Sequence, residues 1–170
     1  PELFLDHWGK PLFTTLAAPF AQFGIKGLMV MNTLLYVVSS FFLVDLARTL
    51  KMRFTWALPV LLAATPVYFQ DVMSGLTEVL FATIFIVGLW AFAKERFILV
   101  ALIVTWLPFA RSEAYFVVPW FALAFLFKRQ WLPVALLALG PLVMSIIGWF
   151  VFDDLIWIIN KNPYTGAKDI

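Results

Sequence analysis

The run LMVMNTLLYVVSSFFLVDLA, residues 28–47, decides how the chain is read. A helix that crosses a bilayer needs about 20 mostly apolar residues, and this run meets that length with Asp45 as its one charge. Working outward, five more apolar runs follow at 54–69, 72–93, 97–110, 114–127 and 131–152. Basic clusters separate them: Arg48, Lys51 and Arg53, then Lys94-Glu95-Arg96, then Lys128-Arg129. The expected fold is therefore an all-α, polytopic transmembrane helical bundle of about six spans. Of the 170 residues, 64% are hydrophobic and 13% charged, against roughly a quarter charged in soluble domains. Phe (19) and Trp (8) are abundant, as suits rings at a headgroup boundary. A formal charge of +2 gives no reason to expect a nucleic-acid partner. The absence of cysteine removes disulfides, thiolate metal sites and a cysteine nucleophile together. No phosphate-cradling glycine loop, zinc helix or nucleophile elbow is present either.

The short connections alternate in charge. One set holds Arg48, Lys51, Arg53, Lys94, Arg96, Lys128 and Arg129, with only Asp45 and Glu95 as nearby acids. Excess Lys and Arg mark the cytoplasmic face. The opposite set, expected outside, holds Asp6, His7, Lys10, Lys26, Asp71, Glu78, Arg111, Glu113, Asp153 and Asp154 among others. The runs 97–110 and 114–127 would each reach only about 21 Å as helices, short of a hydrocarbon core of about 30 Å. The turn Ala110-Arg111-Ser112-Glu113 should then lie below the outer surface, where charge survives only if buried in protein or beside a hydrated cavity. Asp71, Ser74, Gly75 and Glu78 are spaced i, i+3, i+4, i+7, which places them on one face of a helix. Asp71 and Glu78 could offer oxygen ligands to a divalent cation such as Mg or Mn. Gly75, Gly88, Gly140 and Gly148 read as close helix contacts.

The stretch LDHWGKPLF, residues 5–13, gathers an acid, the one histidine, a tryptophan and a lysine before a proline. Residues 12–24 are apolar but too short to cross, and suit an interfacial helix on the outer side. Pro11 fits a first helical position, and Lys10 beside a helix N-terminus suits an anion. The expected organisation is an outer loop with an interfacial helix over 1–27, a membrane module over 28–152 and the start of an outer loop or domain at 153–170. Plain alternatives stand beside these roles. Asp6 and His7 can be interfacial polar groups without chemistry, Lys10 a snorkelling cation, and Arg111 with Glu113 an ion pair stapling two helices.

WGKPLFTTLAAPFAQFG (8–24) resembles the Lys-Pro-Leu segment after the first outer loop of GT-C glycosyltransferases, in the branch of protein O-mannosyltransferases and aminoarabinose transferases. SGLTEVLFATIFIVGLW (74–90), LPFARSEAYFVVPWFALAFLFKRQW (107–131) and NPYTG (162–166) resemble later pieces of that family in the same order. The resemblance implies an enzyme of the bacterial inner membrane. It would take a sugar from a polyprenyl-phosphate carrier at the periplasmic face and give it to a hydroxyl of a glycan, lipid or protein acceptor. It further implies that Asp6, with His7 beside it, or an acid upstream of Pro1, is the base. Lys10 and Arg111 would hold the carrier phosphate, while Glu113, Asp71, Glu78 and Tyr164 would line the substrate site. The family places its catalytic acid soon after a first span that this sequence lacks, so the chain is expected to be a fragment. The rival readings are a transporter or flippase of a lipid-linked sugar or anionic lipid, and a non-catalytic subunit of a membrane complex.

Overall fold

The computed structural model describes residues 10–160, and every regular element among them is helical. The order is α1 (Pro11–Ala21), α2 (Gly24–Thr49), α3 (Ala57–Ala64), α4 (Pro66–Ser74), α5 (Glu78–Ala93) and α6 (Phe97–Val104). A 3-10 turn (Leu107–Phe109) leads to α7 (Ala114–Phe127), α8 (Trp131–Leu136), α9 (Leu139–Phe152) and the short α10 (Trp157–Asn160). Two stretches have the length and apolarity of a membrane span, α2 with 26 residues and Trp131–Phe152 with 22. A third arises only if α4 and α5 count as one, and these are bent by 117°. The chain thus offers two or three such helices where about six were expected.

Local chemistry explains the differences. The run 54–69 breaks at Thr65, held extended at φ −70°, ψ 113°, because the ring of Pro66 disfavours helical backbone in the residue before it. The run 72–93 breaks at Gly75, whose left-handed φ of +69° ends α4. Asp71 and Ser74 therefore belong to one helix and Glu78 to the next, so the single polar face expected of them does not exist. The long helix α2 starts at Gly24, inside the segment read as outer loop, and Lys26 and Gly27 lie in its first turn.

Contacts along α2 order the bundle. Ser39 Oγ lies 2.8 Å from Thr83 Oγ1, the rings of Phe42 and Trp90 are 4.7 Å apart, and Asp45 Oδ2 lies 2.6 Å from Lys94 Nζ. Rising numbers pair with rising numbers, so α2 and α5 run parallel. The return passes through α3 and α4, where Tyr36 Oη donates to Pro59 O (3.0 Å) and Asn32 Nδ2 to Asp71 O (3.2 Å). The α6 helix climbs back along α5, with Val100, Ala101 and Val104 fully buried. The α7 helix descends again, its Phe121 and Phe125 rings within 6.3 Å of Phe92. The chain shuttles between two rims.

Polar groups inside the bundle are mostly paired, as a buried donor or acceptor requires. Asn32 Nδ2 also donates to Leu76 O at 3.1 Å. Thr105 Oγ1 donates to Leu137 O (2.8 Å) and accepts from Gly140 N–H (2.7 Å), joining α6 to the link between α8 and α9. All four glycines read as close contacts sit against a neighbour: Gly75 against Leu28, Gly88 against Val104, Gly140 against Thr105 and Gly148 against Trp157. Outward, Phe116, Trp120, Phe127 and Phe150 are exposed, a surface that suits lipid and would be a liability in water.

Candidate functional site

Four separate segments meet at the rim where α2 begins. Lys10 precedes the first turn of α1, with Pro11 at the start of the helix as its fixed φ favours. Its Nζ donates to Ser112 Oγ at 2.7 Å, across 102 positions of sequence. Glu78 opens α5, where a carboxylate faces the positive end of the helix dipole. Arg111 and Glu113 stand in the turn before α7. Asp71 comes from α4, is 8% exposed, and feels the charges of Glu78 and Arg111.

Arg111 is the hub. One arm of its guanidinium pairs with Glu78 and the other with Glu113, to which Nε also donates at 3.0 Å. This two-point grip on Glu113 is the fork geometry that guanidinium offers to carboxylates. The bond from Arg111 pulls the Glu113 carboxyl down to about 2, with the charge of Lys10 adding to the effect. The reciprocal bond holds Arg111 firmly in its charged form. The Arg111 side chain is 24% exposed and that of Glu113 56%. Underneath, Ala110 is fully buried and packs with Phe13, Ala17, Met31 and Leu80, which fixes the turn against α1, α2 and α5.

Of the expected site residues, Lys10, Asp71, Glu78, Arg111 and Glu113 come together; Asp6, His7 and Tyr164 lie outside the described residues. Asp71 and Glu78 share the rim, and among the described residues no group of three acids or histidines is poised to hold a metal. Ser112 is a site residue the sequence does not single out: it stands between Arg111 and Glu113, but its bond to Lys10 spans 102 positions. At the opposite rim Trp90 was also missed. Its Nε1 donates to Asp45 Oδ2 at 2.6 Å, and Lys94 Nζ and Arg96 Cζ stand 5.3 and 5.7 Å from its ring centre, an arrangement of cations over a π-face.

Comparison of the chain with known protein families, with curated proteins and with solved structures returns no match.

Proposed function

We propose that the chain is the membrane module of a GT-C-type glycosyltransferase that uses a polyprenyl-phosphate sugar at the extracytoplasmic face, within a polytopic bundle of about six passes. The observation that supports this reading best is the meeting of Lys10 and Arg111 with three carboxylates at one rim, from segments distant in sequence. In the transfer, an acceptor hydroxyl attacks the anomeric carbon, a base takes its proton, and the bond to phosphate breaks with its electrons leaving on the phosphate. Asp6, with His7 beside it, keeps the role of base that the resemblance assigns. Arg111 and Lys10 stabilise the departing phosphate, since fixed cations aimed at developing negative charge supply the largest share of such catalysis.

Glu113, the more exposed of the Arg111 partners, is the carboxylate that a carrier phosphate displaces, while Glu78 keeps the guanidinium oriented. A divalent cation such as Mg or Mn, were one used, would be held by Asp71 and Glu78 and would add positive charge for the departing phosphate, and Tyr164 would contact substrate.

The test is sugar transfer from a labelled polyprenyl-phosphate donor by the whole protein in reconstituted vesicles. Arg111→Ala should lower transfer by about 10²–10³-fold, as loss of a preorganised donor does, with membrane insertion intact. Unchanged transfer in Arg111→Ala would leave the rim cluster as an ion-pair staple, and no transfer or flux by the unaltered protein would make the chain a non-catalytic subunit. Substrate-driven flux without transfer would make the protein a transporter or flippase.

A further inference from the structure

The rim opposite the candidate site has chemistry of its own. It carries Arg48, Lys51, Arg53, Lys94, Arg96, Lys128 and Arg129 against Asp45 and Glu95. Asp45 is already engaged by Lys94 and Trp90. Glu95 reaches Lys128 only at 3.7 Å, with side chains 73% and 54% exposed, a pair long and wet enough to be readily exchanged. Directly beneath lies a cavity of about 410 Å³ between the ends of α2 and α5, walled by Leu46, Leu50, Phe92 and Phe97, with Lys128 and Glu95 at its mouth. That volume falls within the range of small-ligand pockets, about 300–1,000 Å³. Lys128 thus belongs both to the basic rim and to the apolar cavity. The adjoining loop repeats the pairing in one dimension: in Leu50-Lys51-Met52-Arg53-Phe54 cations alternate with apolar side chains, and all five are exposed.

We propose that this cavity is a binding site for one anionic phospholipid of the surrounding bilayer, its phosphate at Lys128 and the start of an acyl chain between Leu46, Leu50, Phe92 and Phe97. Charge and apolar wall together select this occupant. A soluble anion would leave the cavity unfilled, and a neutral lipid would gain nothing from the excess of cations. Basic pockets between helices take anionic headgroups on these grounds. The site stands at the other rim from the proposed transferase chemistry and does not rest on it.

The test uses the whole protein in phosphatidylcholine vesicles doped with spin-labelled phosphatidylglycerol or spin-labelled phosphatidylcholine. The motionally restricted fraction of each label is read by electron paramagnetic resonance. The expected result is a several-fold preference for phosphatidylglycerol. It should fall at least twofold both in Lys128→Gln and in Leu50→Trp, which fills the cavity from an exposed position, and persist in Lys26→Gln, an exposed cation of the opposite rim. Circular dichroism on each variant checks that the helices remain. Equal restriction of the two labels in the unaltered protein would overturn the proposal, as would a preference that survives both Lys128→Gln and Leu50→Trp.

Discussion

Arg111 divides its guanidinium between carboxylates from two segments, and this has a measurable acid-base signature. The Glu113 carboxyl is held at about 2 against an ordinary 4.5. A carboxyl whose folded value is depressed stabilises the fold above its unfolded value and loses that contribution as pH falls through its folded value. The contribution of Glu113 should therefore be complete above about pH 4.5 and disappear on acidification toward 2. Carboxyl ¹³C shifts of labelled glutamate should show the Glu113 side chain still ionised at pH 4, and Arg111→Gln should return it to the ordinary range. A Glu113 that titrates normally in the unaltered protein would remove the hub. At this scale the sequence was informative about which residues carry charge in an apolar chain. It was silent about Ser112 as the partner of Lys10, because that bond spans 102 positions and no local pattern encodes it.

Helix ends with left-handed backbone are built in two ways, on side-chain-bearing residues and on glycine. At the basic rim α2, α5 and α7 finish the same way: Lys51, Glu95 and Arg129 take φ of 55–56°. The next amides close back five residues, Met52 to Ala47, Arg96 to Ala91 and Gln130 to Phe125, each at 2.9 Å. At the acidic rim α4 ends with the same closure, Leu76 N–H to Asp71 O at 3.2 Å, but through Gly75. Left-handed backbone burdens a side-chain-bearing residue by about 1–2 kcal/mol, so the two kinds of terminus should respond oppositely. Gly75→Ala meets that cost and also places a Cβ 2.7 Å from Leu28 Cβ, for an expected loss of about 1–3 kcal/mol. Arg129→Gly should be neutral or stabilising by up to about 1 kcal/mol. Unfolding in mixed micelles compares them, and equal losses in both would contradict these end geometries. The apolar runs and the four glycine contacts were legible because each has a local signal. The 117° bend between α4 and α5 was not, since Gly75 in a run of apolar residues reads equally as a helix contact or a helix stop.

For the molecule as a whole, the two rims are a prediction about sides. The chain has no cysteine of its own, so single cysteines report without background. With the basic rim facing the cytoplasm, Lys26→Cys should react with an impermeant maleimide in intact cells, and Lys51→Cys only after permeabilisation. The reverse pattern would invert the orientation, and labelling of both in intact cells would end the two-rim description. Alternation of charge along the chain was enough to anticipate which groups gather at which end. Helix lengths were not, because proline and glycine interrupt runs that composition alone would leave whole.

The parallel pairing of α2 with α5 also sets a schedule for biogenesis. Asn32 and Ser39 find their side-chain partners 39–44 positions further along the chain. At ribosomal rates of about 5–20 residues per second, α2 must wait on the order of 2–9 s for them. Through that interval an amide and a hydroxyl face hydrocarbon or the walls of the insertion machinery. Folding of the protein therefore calls for a host that shelters α2 until α4 and α5 emerge.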